Sequence, residues 1–137
     1  MKQLFFILTL FLLSEISEAQ ADLKVTCFDS TKSQVEESIS FYLNRLALDS
    51  TDQLAYYKIG MAYYKLRNYE KAIENFDKLI VLNPDYPAAL SNRGLCKLFS
   101  NDKTGACNDF IYSVKLGQDP PLIDGLKLSE WLDTECR

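Results

Sequence analysis

The sequence predicts an all-α protein, a short right-handed solenoid of helix hairpins, and three observations carry that reading. Residues 53–86, QLAYYKIGMAYYKLRNYEKAIENFDKLIVLNPDY, place apolar residues at helical spacing in two runs joined by a short turn. The pattern then returns 34 residues on, with Gly60 recurring as Gly94, Asn68 as Asp102, Ala72 as Ala106, Phe76 as Phe110, Leu82 as Leu116 and Pro87 as Pro121. Turn-forming residues punctuate each run, most clearly Asn83-Pro84-Asp85. A fixed period of this size marks a unit that cannot bury its apolar face alone and stacks on copies of itself.

Taken in order, residues 1–19 have a composition of their own. Lys2 is followed by an apolar run from Leu4 to Leu13, broken by Thr9, and then by small and polar residues. A run of this length falls short of the roughly 20 residues a helix needs to cross a bilayer. It fits a secretory signal peptide cleaved after Ala19, or after Ala21. Removing 19 of the 137 residues leaves 118, enough for one domain, and takes Lys2, Glu15 and Glu18 away, moving the net charge from -4 to -3. A mildly acidic surface does not attract phosphate backbones, so nucleic-acid binding is disfavoured, and no stable membrane insertion is expected after cleavage.

Residues 20–32 lack helical periodicity; Leu23, Val25 and Cys27 alternate with polar residues, as in an extended arm. From Ser33 to Leu48 one helix is expected, with Val35, Ile39, Tyr42, Leu43 and Leu46 as its apolar stripe, and residues 33–52 form a half repeat. The first full repeat, 53–86, has helices over 53–66 and 69–82. Asn68 is placed to cap the second, and Pro84 stops it because proline lacks an amide and disfavours helical geometry before it. The second, 87–120, has helices over 87–99 and 103–116, with Pro87 in its first turn, Asp102 as cap and Gly117 as terminator. Residues 121–137 carry a closing helix over 122–134, with Lys127, Glu130 and Asp133 facing water and Trp131 packed on the last repeat.

The spacing of Tyr56, Ile59, Gly60, Tyr63, Ala72, Phe76 and Pro84 resembles that of the tetratricopeptide repeat (TPR). About two full units, the half repeat and the C-terminal capping helix then make up residues 33–137. The match departs at 22–31, where the first helix of a preceding unit is missing, at Lys97 in place of an aromatic residue, and at Gln118 in place of Pro84. Residues 105–110, GACNDF, and the KLG at 115–117, behind a plain signal peptide, look most like exported bacterial members.

The resemblance implies a concave groove lined by the first helix of each hairpin. Candidates are Leu54, Tyr57, Met61, Tyr64 and Lys65 from the first repeat and Ala88, Ser91, Asn92, Leu95, Leu98 and Phe99 from the second. Leu122, Ser129 and Leu132 follow from the capping helix. Tyr57 and Met61 read equally as groove or as core, Tyr64 and Phe99 as groove, and Leu95 as core; the arm over 20–32 is a candidate cover for the groove. Family members that grip a chaperone's C-terminal carboxylate use lysine, asparagine and arginine at set groove positions. Asn92 matches one of these, but Tyr57 and Met61 occupy two others, so a partner held mainly by apolar contacts is expected. Stacking brings Cys136 towards Cys107; Cys96 with Cys107 is the competing pair, and Cys27 is left with Cys96 or free for another chain.

Catalysis finds no support, and neither a cofactor nor a metal is expected. The chain has no histidine, so Ser/His and Cys/His nucleophile arrangements are unavailable, and no cysteines stand at metal-ligand spacing. Glu70, Glu74 and Asp77 alternate with Lys71 and Lys78 as a solvated helix face with paired charges. The expected role is a non-enzymatic adaptor or assembly factor, periplasmic or secreted, that holds a protein or peptide in the groove. The alternative is a structural subunit or homodimer associating through the half-repeat edge at Val35 and Ile39.

Overall fold

The computed structural model describes residues 31–86, 88–117 and 128–136. The expected leader, Cys27, the arm through residue 30, Pro87, Gln118, Leu122 and Lys127 lie outside the described residues. Contacts divide the chain into residues 1–34 and 35–137, and the architecture is that of the second unit. Regular structure among the described residues is entirely helical: α1 over 31–48, α2 Gln53–Lys65, α3 Tyr69–Leu82, α4 Ala89–Phe99, α5 Lys103–Lys115 and α6 Leu128–Glu135. Residues 31 and 32, read as the end of the arm, are already helical.

Short polar side chains set the helix starts. Asp52 accepts from the Ala55 amide at 3.0 Å, Asn68 from Lys71 at 3.2 Å and Asp102 from Gly105 at 2.9 Å, each satisfying a donor with no partner inside its helix. Asp52 also receives Arg45 from α1 at 2.7 Å, tying two helices through one carboxylate. The α2–α3 and α4–α5 turns repeat each other: Arg67 and Asn101, 34 residues apart in sequence, both take left-handed backbone, with φ of 57° and 69°. Gly117 ends α5 with φ 67°, as its residue type predicts.

The start of α4 differs from expectation. Ala88 has φ 64°, so the helix begins at Ala89 without a side-chain cap. Asn83 shapes this corner, its side-chain amide donating to Gln53 at 3.0 Å while its oxygen accepts from the Asp85 amide at 3.2 Å.

Each helix packs on its chain neighbours, and α2 also touches α4. Three apolar clusters follow the stack. Ile39 of α1 meets Ile59 and Ala62 of α2; Ala72, Phe76 and Leu79 of α3 meet Ala89 and Cys96 of α4; Ala106, Cys107 and Phe110 of α5 meet Trp131 of α6. Gly60 and Gly94 admit the rings that fill the hairpins. A Cβ at Gly60 would lie 2.9 Å from the Phe76 ring, and one at Gly94 2.7 Å from Phe110. Trp131 closes the stack edge-on to Phe110, with ring centroids 5.6 Å apart. Cys107 is bonded to Cys136 across the α5–α6 contact, with Cα atoms 5.6 Å apart. Cys96, the competing partner, belongs to the α3–α4 cluster instead and is a buried free thiol.

Candidate partner-binding groove

On α2, positions 54, 58, 61 and 65 recur at i, i+4, i+7 and i+11 and form one stripe. Leu54 is 41 % exposed, Lys58 and Lys65 are exposed, and Met61 is half-buried. On α4 the matching positions are Asn92 and, seven residues on, Phe99, which is 54 % exposed. Neither stripe holds an acid. The two lysines enter no ion pair among the described residues and stand about 10 Å apart along the helix axis, from a rise of about 1.5 Å per residue.

Aromatic rings bind the stripes together. Tyr57 lies between Phe76 at 6.2 Å and Tyr86 at 5.4 Å, and its hydroxyl accepts from the Asn92 amide at 3.4 Å. Tyr64, Tyr69 and Phe99 form a second group with centroid separations of 5.4 to 6.1 Å, leaving Phe99 outermost. Partial burial raises the Tyr64 hydroxyl pKa above its usual value, with further contributions from Cys96 and Tyr69. Burial, with Tyr57 and Asp52 adding, does the same to Tyr86. Burial pushes the Cys96 thiol up to about 12, so it is a protonated core residue at neutral pH.

The structure thus brings Tyr57, Met61, Tyr64, Asn92 and Phe99 together, with Lys65 at the end of the α2 stripe. Tyr57, Met61 and Tyr64 serve both readings, half-buried against the α3–α4 cluster and still open on one side. Three groove candidates are placed elsewhere. Ser91 is 1 % exposed, with its hydroxyl donating to the Ala88 carbonyl. Leu98, expected in the groove, instead packs with Leu95 against the cluster of Ala106, Cys107, Phe110 and Trp131. Leu132 packs into the same cluster. The side chain of Ser129 lies outside the described residues.

Two charged features were missed or misread. Lys58 was legible as the i+4 partner of Leu54 but was passed over. More consequential is Arg93, which stands where the first repeat has Ile59. Its guanidinium grips Asp109 with Nε at 2.8 Å and reaches Asp77 at 2.6 Å, while Lys97, at the position of Tyr63, meets Asp109 at 2.9 Å. Burial opposes the Arg93 charge, yet Asp109 and Asp77 outweigh it and raise its pKa. Asp77 is therefore bound to Arg93, and Lys71 and Lys78 lie over the rings of Tyr63 and Tyr56 instead of pairing with acids on their own helix. No group of three or more potential metal ligands occurs among the described residues, and none of their helices is long and apolar enough to cross a membrane.

The sequence model of the tetratricopeptide repeat matches residues 54–86. The fold is similar to the second TPR domain of human RPAP3, solved by NMR in complex with the HSP70 peptide SGPTIEEVD. That match has 28 % identity and a TM-score of 0.59, and covers 63 % of this chain and 72 % of that one. Residues 54–86 are thus a tetratricopeptide repeat, and the fold around them is that of TPR domains. The first TPR domain of Spaghetti (RPAP3), solved bound to the HSP90 peptide SRMEEVD, shares the fold. Its identity is 19 % and its TM-score 0.64, over 77 % of this chain and 80 % of that one. Comparison with curated protein sequences finds no match. In TPR terms, α2–α3 and α4–α5 are two successive helix hairpins.

Proposed function

We propose that this TPR protein is an exported, non-enzymatic adaptor that holds an extended segment of another protein on the α2–α4 groove. The observation that carries the reading is the acid-free stripe Leu54, Lys58, Met61 and Lys65 lying beside Phe99 and Asn92. On a chain of net charge -4, two lysines without an ion pair among the described residues, flanking apolar and aromatic surface, favour a segment with a bulky apolar anchor and neighbouring carboxylates. The peptides bound by the two RPAP3 domains are acidic near their ends, which supports that chemistry. Tyr57 and Met61 at two positions of the carboxylate-gripping subclass direct the recognition towards apolar contact with lysines at its edges. Lack of histidine, and acids already engaged by Arg93, support a role without catalysis. The signal-peptide character of residues 1–19 supports export.

Photo-crosslinking in the native host tests this, with the reactive group at position 99 and, as control, at the exposed Glu74 of α3. A discrete protein captured from position 99 alone is expected. Intramolecular products or self-dimers only from position 99, or equal capture from both sites, would sink the groove reading.

One observation favours a second reading. On α1, Phe41 is 58 % and Leu48 91 % exposed and, seven residues apart, they share one face, an apolar surface available to a second copy of the chain. Light scattering of the mature protein separates the two: an adaptor is monomeric, whereas a subunit joined through α1 is a dimer that Phe41→Ser with Leu48→Ser dissociates.

A further inference from the structure

We infer that the α2–α4 groove takes an acidic segment in polyproline II conformation, with carboxylates at positions i and i+3 and proline rings as its apolar anchor. This rests on the groove reading and specifies the occupant. The two walls run in the same direction. Tyr57 meets Asn92 near one end and Tyr64 meets Phe99 near the other, and each of these rungs joins residues 35 apart in sequence. Lys58 and Lys65 each follow one residue after a rung tyrosine, and both are exposed. Their Cα–Cβ bonds lean the same way along α2, so the two side chains start from points about 10 Å apart along the axis. A partner laid along α2 meets both ammonium groups only if its acids share one side at about that spacing.

The backbone of the partner follows from that spacing. A β-strand alternates sides and rises about 3.3 Å per residue, so its same-side residues lie about 7 or about 13 Å apart, and neither fits. Polyproline II has three residues per turn and rises about 3.1 Å, which puts residues i and i+3 on one side about 9 Å apart. An α-helix matches at i and i+7, but a short free segment is marginally helical in water and is ordered only at a cost, whereas polyproline II is already a major conformer of unfolded chains. The walls favour the same choice. The exposed Phe99 ring stacks on Tyr69 with centroids 5.4 Å apart and planes 23° apart, and Tyr57 lies against Tyr86 at the other end. Aromatic-lined grooves are the surfaces on which polyproline II segments dock. The carbonyls of that backbone point outward and accept hydrogen bonds; the Asn92 side-chain amide, with two N–H groups of which one is given to Tyr57, is a donor within the groove.

Fluorescence anisotropy of the purified protein with dye-labelled peptides tests this. Two probes are proline peptides with a pair of glutamates, three residues apart in one and two residues apart in the other. A third carries the wider pair in a glycine–serine host, and a fourth is an alanine-rich helical peptide with glutamates seven residues apart. The proline peptide with the wider pair is expected to bind about fivefold tighter than its isomer and than the glycine–serine peptide, and to weaken with added salt. Lys58→Gln with Lys65→Gln should abolish the preference for the wider pair; both side chains are exposed, so circular dichroism should match the parent. Four results overturn the proposal: no binding of the wider-pair proline peptide, equal affinity for the two spacings, equal affinity for the glycine–serine host, or tighter binding of the helical probe. Crosslinking from position 99 decides the groove reading separately. A partner captured there without any spacing preference among the peptides leaves the groove standing and removes the polyproline II segment, whereas no capture there removes the groove itself.

Discussion

Substitution of Asp109 by asparagine is expected to be among the most damaging conservative changes in this protein. The Asp109 side chain is 5 % exposed and faces two cations, Arg93 at 17 % and Lys97 at 19 %. Removing one partner of a buried ion pair costs about 3–5 kcal/mol because the remaining charge is left uncompensated. Arg93 keeps Asp77, and both cations retain some access to water, which reduces the expected loss to about 2–4 kcal/mol. For a domain of this size that is a fall in Tm of roughly 10–25 °C. The first repeat shows how to separate charge from shape, since it fills the equivalent places with Ile59, Tyr63 and Asn75. The triple variant Arg93→Ile, Lys97→Tyr, Asp109→Asn removes all three charges together and is expected within about 1 kcal/mol of the parent. Urea and thermal unfolding followed by circular dichroism measure both variants. If Asp109→Asn melts with the parent, or the triple variant is as unstable as the single one, the reasoning about this network is wrong.

Further expectations concern packing, backbone and pH. Gly94→Ala places a methyl group 2.7 Å from a Phe110 ring that is backed by Trp131, so about 1–3 kcal/mol of overpacking outweighs about 1 kcal/mol of helix propensity. Gly60→Ala, at 2.9 Å from Phe76, should lose less, and only the first should alter Trp131 fluorescence. Arg67→Gly relieves a left-handed residue and should gain about 0.5–1 kcal/mol, read as a higher urea midpoint; a loss contradicts it. The Cys96 pKa is raised from 9.0 to about 12, so its contribution is complete below pH 9 and is lost as pH rises through that window. Tyr64 and Tyr86, also raised, act in the same direction. Stability should therefore decline on the alkaline side by up to about 4 kcal/mol from the thiol alone, and Cys96→Ala should flatten the slope between about pH 9 and about pH 10. Equal slopes in the two proteins would remove Cys96 as the cause.

The hairpins were legible because local chemistry and the 34-residue period agree. Tyr69–Leu82 runs between its cap at Asn68 and the stop before Pro84, as read, because both signals act on neighbouring backbone alone. The start of α4 was not legible, since the left-handed turn at Ala88 belongs to a residue type that gives no sign of it. For the groove, the family resemblance put Tyr64 and Phe99 on one surface, and their rings lie 6.1 Å apart. It did not decide Leu98, which packs against the cluster of Ala106, Cys107, Phe110 and Trp131, a tertiary contact that helical spacing does not contain. The Asp109 network left a trace in the exchange of Ile59 for Arg93. Its meaning depended on an acid 16 residues on, facing the same gap between helices.

The central claim, that the partner lies along the α2 and α4 stripes, is tested most directly by reversing their charge. Lys58→Glu with Lys65→Glu is compared with Lys71→Glu with Lys78→Glu on α3, which makes the same change in net charge away from the groove. The yield of the protein crosslinked from position 99 is the readout. The account predicts that the groove pair abolishes capture and the α3 pair leaves it near the parental level. Equal loss from both pairs, or undiminished capture with the groove pair, would contradict it.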